Sequence, residues 1–227
     1  MTAKTASIAP LGDGALLVTF GDRIDPGLNE RAHGLAAAVE RLRTTDPRLG
    51  RAVPAYASVL IPFDPVAVDP DEARRLVAAL LSESSGQPPP TVEAERAGAL
   101  VEIPVRYGGD DGPDLADVAA LNGLRQSDVV ELHAGTEYRA FFLGFAPGFA
   151  YLGPVSMQIA TPRLAAPRER IPAGSVGIAG QGTAVYPFDL PGGWRIIGRT
   201  DVAMWDLRRD SPALLRPGDR VRFVPQS

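Results

Sequence analysis

Three arginines stand where an acid could be held. Thr161-Pro-Arg-Leu-Ala-Ala-Pro-Arg-Glu-Arg-Ile-Pro172 places Arg163 and Arg168 directly after prolines and Arg170 two residues before a third. Each proline fixes its own φ and pushes the preceding residue toward extended backbone, so the guanidinium groups sit on stiff chain with little entropy left to lose on binding. Such groups suit a carboxylate or a phosphate. The same spacing equally allows a rim of surface ion pairs with Glu169, Asp189 or Asp201. His133, close to Glu131 and Glu137, is the one near-neutral acid or base in the second half of the chain. At the end of a short helix it serves equally well as a structural cation.

The run Gly174-Ser-Val-Gly177-Ile-Ala-Gly180-Gln-Gly182 invites a nucleotide-loop reading that its spacing does not support. The glycines miss the dinucleotide fingerprint, no Gly-Lys pair follows, and Ser175 lacks the preceding glycine of a nucleophile elbow. Tight barrel corners explain the run, and Gln181 is the residue in it able to contact a ligand. Pro191-Gly-Gly-Trp194 reads as a turn carrying an aromatic wall.

Composition narrows the chemistry. The 227 residues contain no cysteine, which removes disulfides, thiolate nucleophiles and Cys-ligated metals. One lysine, Lys4, stands against 22 arginines, which removes a phosphate-loop lysine and a biotin-carrying lysine from this chain. Two histidines, His33 and His133, are too few for a multi-histidine metal site. A net charge of −4 argues against general nucleic-acid binding. Ala140–Pro162 is charge-free for 23 residues, but its prolines and glycines would break a membrane-spanning helix. The start of the chain has no long apolar stretch, so no secretory signal and a cytoplasmic location are the expectation.

Two domains must position these residues. Residues 1–97 hold 7 of the 24 glycines and 3 of the 15 aromatics, and Ser82–Ala97, with its Pro-Pro-Pro, reads as a linker. Over residues 1–90 strands at Ala15–Phe20 and Ala55–Phe63 alternate with helices opened by Asp25-Pro26 and Asp69-Pro70. The first helix carries Leu28, Ala32, Leu35, Val39 and Leu42 on one stripe. This predicts a small α/β domain of ferredoxin-like type. Residues 98–227 open with a strand at Leu100–Val105 and short helices at Pro113–Leu121 and Ser127–Ala134, the latter capped by Ser127. Short segments then recur between glycines and prolines at Tyr138–Phe142, Ser175–Ala179, Ala184–Phe188, Trp194–Ile197, Val202–Leu207 and Arg220–Val224, the pattern of a closed β-barrel. The fold class is therefore α+β.

Several motifs carry a resemblance. Tyr107-Gly-Gly, Gly112-Pro-Asp-Leu115, His133, Gly144-Phe-Ala-Pro-Gly-Phe-Ala-Tyr-Leu-Gly153, Pro167-Arg-Glu-Arg-Ile-Pro-Ala-Gly-Ser-Val-Gly-Ile-Ala-Gly180, Pro191-Gly-Gly-Trp194 and Gly198-Arg-Thr200 resemble the family of the 5-oxoprolinase B subunit. That family includes allophanate hydrolase subunit 1 and the kinase inhibitor KipI. Leu11-Gly-Asp-Gly14 and Ser58-Val-Leu-Ile-Pro-Phe-Asp-Pro65 are similar to its N-terminal domain. Gly153-Pro-Val-Ser-Met-Gln and Gly180-Gln-Gly-Thr-Ala-Val-Tyr186 depart from the pattern.

The resemblance implies a cyclophilin-like barrel after the small domain, and two partners: a related barrel protein, the C subunit, and a further A subunit. Together these open 5-oxoproline to glutamate with ATP and Mg2+, the nucleotide bound jointly with a partner, the B and C subunits activating the lactam by phosphorylation. No biotin is attached to this chain. On that reading Arg168 and Arg170 stabilise developing charge, His133 moves a proton, Gln181 orients the amide, and Tyr151, Tyr186, Trp194 and Arg199 contact the substrate. The alternatives are a carboxyltransferase half acting on urea or a related amide, and a non-catalytic kinase inhibitor.

Overall fold

The computed structural model describes residues 6–84 and 99–226. The chain divides into two compact units, Met1–Glu95 and Arg96–Ser227. From residue 85 onward the linker expected over Ser82–Ala97 lies outside the described residues.

In the first unit a hairpin of β1 (Ser7–Pro10) and β2 (Ala15–Thr19) leads into α1 (Pro26–Arg43), followed by β3 (Val53–Pro54), β4 (Ser58–Pro62) and α2 (Pro70–Ser84). The strands form one antiparallel sheet in the order β1-β2-β4-β3. Asp25 caps α1 by accepting from the Leu28 amide at 3.0 Å, with Pro26 in the first turn. Ala32, Leu35 and Val39 are buried on the predicted stripe, facing Leu16, Val18, Val59 and Ile61 of the sheet and Ala73 and Val77 of α2. Period-2 burial in the strands thus meets period-3.6 burial in the helices. Among the described residues the element order is ββαββα, whereas a ferredoxin-like unit alternates βαββαβ. The ferredoxin-like type is thus not borne out: among the described residues the hairpin of β1 and β2 sets two adjacent strands before the first helix.

The second unit opens with β5 (Leu100–Tyr107), α3 (Leu115–Leu121) and α4 (Gln126–Ala134). Strands β6 (Glu137–Leu143), β7 (Ala150–Gly153), β8 (Arg168–Ile171), β9 (Ser175–Ala179), β10 (Gly182–Val185), β11 (Leu190–Gly192), β12 (Arg195–Arg199) and β13 (Arg220–Gln226) follow. Six of them close a seven-stranded barrel with β5, in the order β10-β7-β6-β13-β5-β12-β9, and β8 pairs with β11 as a separate ribbon. Only β5 and β13 run parallel; the other barrel pairs are antiparallel. Ile103, Val105, Leu152, Val176, Ile178, Ile197, Val221 and Phe223 fill the interior.

The charge-free run Ala140–Pro162 supplies barrel wall in β6 and β7, and no helix among the described residues is long and apolar enough to cross a membrane. Ser127 does not cap α4. The cap position is Arg125, and Asp128 in the first turn reaches back to it, accepting from the Arg125 amide at 3.0 Å and from its guanidinium. Val202–Leu207 forms no strand; Trp205 makes an isolated bridge to Ala213.

Candidate functional site

Beside the barrel, Phe149, Tyr186 and Trp194 pack with Ile171, Ala184 and Ile196 into a second apolar cluster. Phe149 is its hub. Its ring meets Tyr151, Tyr186 and Trp194 edge-on at 5.0, 5.3 and 5.6 Å, and Phe145 at 5.3 Å. These rings floor a cleft of about 260 Å³, whose rim is Phe145, Arg163, Pro167 and Pro191–Gly193. The loop before β7 delivers Phe145 and Phe149, β7 delivers Tyr151, and the β8–β11 ribbon with its following turn delivers Pro167, Gly192 and Trp194. A larger cleft of about 390 Å³, walled by Arg209, Asp210, Arg216 and Asp219, has no aromatic lining and charges of both signs. The aromatic cleft is the better ligand site, because it joins apolar area to a single cation.

That cation is Arg163, whose guanidinium carbon lies 6.0 Å from the Trp194 ring centroid. Among the described residues no carboxylate pairs with it. Burial pushes the Tyr186 phenol up to about 12 and raises that of Tyr151, with Arg163 partly opposing the rise at Tyr151. Both are protonated at neutral pH, so the cleft offers hydroxyl donors and one positive charge. An arrangement of flat apolar walls, donors and a guanidinium can hold a small planar molecule bearing a carboxylate.

Gly192 belongs to this construction. A β-carbon there would collide with the Tyr186 hydroxyl and crowd Ile171. Gly192→Ala is therefore expected to displace Tyr186 and weaken ligand binding several-fold while the barrel still folds; unchanged affinity with an unshifted Tyr186 ring signal would contradict this.

Tyr151, Tyr186 and Trp194 thus meet as the sequence suggested, and the other sequence candidates go elsewhere. Arg168 donates both terminal nitrogens to Asp114, at 2.8 and 2.7 Å, and Asp114 also accepts from the Ile196 amide at 2.6 Å. The guanidinium is a strut between the ribbon, the start of α3 and β12, not a ligand of the cleft. Arg170 lies on the outer surface, its side chain 76% exposed and paired with Asp189. The Ala173 amide and Arg170 together hold the Asp189 carboxyl below its ordinary range. Arg199 donates to the Ala173 carbonyl at 3.2 Å, outside the cleft. Gln181 occupies the β9–β10 turn, its amide against the Met157 sulfur at 2.8 Å. It is separated from Tyr186 by the length of β10, roughly 16 Å at about 3.3 Å per residue.

His133 is corrected as a proton carrier. It is fully buried, with Nδ1 2.8 Å from the Tyr107 hydroxyl and Nε2 2.9 Å from Thr183 Oγ1. Thr183 donates its own proton to the Gly177 carbonyl at 3.0 Å, so it accepts from Nε2–H, and Nδ1 accepts from Tyr107. The ring stacks on Phe223 at 4.6 Å. A helix C-terminus favours the cation by at most ~2 kcal/mol, but burial dominates and takes the imidazole down to about 3. Neutral and enclosed, it ties α4 to β5 and β10.

This has a pH consequence. Between about pH 6.5 and 3 the unfolded chain binds a proton at His133 that the folded chain refuses, so its contribution is full above that window. It declines by ~1.4 kcal/mol per unit as pH falls through the window. Urea unfolding at pH 7 and pH 5 should show wild type losing about 2 kcal/mol more than His133→Gln. Equal losses would contradict the assignment.

Arg163 stood among the three displayed arginines able to hold an acid but was given no role in the reaction, and Phe145 and Phe149 were given none either. One signal pointed to Arg163: Arg168 and Arg170 flank Glu169, whereas the nearest acid to Arg163 is that same Glu169, six positions on.

Residues 6–215 match the family described as carboxyltransferase domain, subdomain C and D. The chain belongs to that family. It is 41% identical over 227 residues to the B subunit of 5-oxoprolinase from Bacillus subtilis (strain 168), covering 96% of this chain and 91% of that one. It is 60% identical over 127 residues to the B subunit of 5-oxoprolinase from Escherichia coli O157:H7, covering 56% of this chain and 58% of the relative. Among solved structures it superposes on TTHA0988 with a TM-score of 0.74 at 39% identity, covering 94% of this chain and 40% of that chain. The matched residues of the carboxyltransferase-domain family include every residue of the aromatic cleft.

Proposed function

We propose that this chain is a subunit of a 5-oxoprolinase that opens 5-oxoproline to glutamate with ATP, and that the aromatic cleft is its share of the substrate site. The observation that carries the reading is Arg163, without a carboxylate partner among the described residues, over the Trp194 face at the mouth of a ring-lined cleft, in a chain whose relatives carry that name. In this reading Arg163 pairs with the substrate carboxylate, Trp194 and Tyr151 lie against the flat ring, and the protonated phenol of Tyr186 donates to a polar atom of the lactam.

The residues present do not fit ATP with Mg2+ as a complete site. Among the described residues no three histidine, aspartate or glutamate side chains gather to hold a metal, and one guanidinium does not match a triphosphate. The nucleotide is therefore assigned to a site completed by two partner chains, the related C barrel protein and the larger assembly's A component, in a cytoplasmic complex. Co-expression with these partners should yield glutamate from 5-oxoproline only when ATP is present, and this chain alone should yield none. A complete complex that leaves 5-oxoproline untouched, or a lone chain as fast as the complex, would overturn the reading.

A further inference from the structure

Among the described residues, Phe145 is the one non-glycine residue with positive φ, at 68°. The Ala146 amide donates to the Gly144 carbonyl at 2.8 Å, closing a three-residue turn over it. This is a γ-turn of the rare, strained hand, and a bulky side chain makes it more costly still. Such strain persists only where the surroundings enforce it. Here the loop is clamped on both sides. The Gly144 amide donates to the Phe149 carbonyl at 3.1 Å, and the Phe149 amide to the Ala146 carbonyl at 3.0 Å. Gly148, at φ 78°, presses so closely on Met204 and Trp205 that a β-carbon would approach both at 3.0 Å.

The strain presents an apolar ring to solvent. Phe145 is 60% exposed, meets Phe149 in a T-shaped pair, and lines the cleft together with Tyr151 and Trp194. A T-shaped contact is open to a phenyl group in ordinary backbone, so packing on Phe149 does not account for the turn.

We infer that Phe145 is a specificity-determining wall of the cleft, held in its strained turn so that the ring closes over a flat ligand whose other face lies on Trp194 and Tyr151. The inference rests on the cleft being the lactam site. It makes the site selective for a planar ring over an open-chain amide carrying the same carboxylate, because only the ring fills the slot between two aromatic faces.

The test uses the full chain as wild type, F145Y, F145A and F145G, titrated calorimetrically with 5-oxoproline and with glutamine, and melted thermally. Wild type and F145Y should prefer 5-oxoproline. F145A and F145G should bind it about tenfold more weakly, the size of one lost aromatic face, with glutamine binding unchanged. F145G should melt about 2 °C above F145A, since glycine alone relaxes in this turn. F145A binding 5-oxoproline as tightly as wild type, or F145G melting no higher than F145A, overturns the inference while leaving the cleft as the lactam site. Wild type failing to bind 5-oxoproline overturns the reading of the cleft and the inference with it.

Discussion

Arg168→Ala will destabilise the second unit by about 2–4 kcal/mol, measured as a fall in urea midpoint, and will loosen the cleft without removing any group that touches the ligand. The Asp114 side chain is 5% exposed and keeps, besides Arg168, the Ile196 amide as partner. Removing the guanidinium leaves a buried carboxylate half-satisfied, at a desolvation cost that breaking an exposed pair does not incur. The expected loss lies below the usual range for a fully buried pair because Arg168 itself is about a third exposed. The removal of both charges together, in Arg168→Met with Asp114→Asn, should recover part of the loss. Full stability in Arg168→Ala would contradict the strut and return this arginine to the ligand contacts.

Arg163→Gln should lower kcat/KM for 5-oxoproline in the assembled enzyme about 10- to 100-fold, chiefly through KM, with no change in melting temperature. The magnitude follows from a charge-assisted pair worth about 1.5–3 kcal/mol between the exposed Arg163 guanidinium and the substrate carboxylate. The pairing persists through substrate binding and transition state alike, so its loss raises KM more than it lowers kcat. Arg170→Ala is the internal control. Its partner Asp189 is a surface carboxylate, and exposed pairs contribute ~0–1 kcal/mol, so activity should stay within about twofold of wild type. The reverse ranking of the two variants would contradict the placement of the cation.

Much of the fold was legible because its signals are local. The cap at Asp25, the proline after it and the stripe Ala32–Leu35–Val39 all lie within α1, and Ser175–Ala179 forms β9 over the predicted span. Strand β7 escaped notice because its residues are mostly buried on both faces and leave no alternation to read. Site residues divide the same way. Aromatic side chains in charge-free runs must find an apolar neighbourhood, so Tyr151, from residues 140–162, and Tyr186, from residues 171–188, converge, and the Pro191-Gly-Gly turn brings Trp194 to them. The fate of Arg168 depends on a carboxylate 54 positions away, and that of His133 on groups 26 and 50 positions away. Stiff backbone on either side of an arginine says that it is displayed, but not to which acid.

The central claim is that Arg163 and Trp194 together receive the carboxylate-bearing substrate. The chain has two tryptophans, so nitrogen-labelled protein gives two indole signals, and 5-oxoproline can be titrated against both. The account predicts a saturable shift of the Trp194 indole, little change at Trp205, and loss of the Trp194 shift in Arg163→Gln. A response confined to Trp205, or a Trp194 response that survives the loss of Arg163 intact, would contradict it.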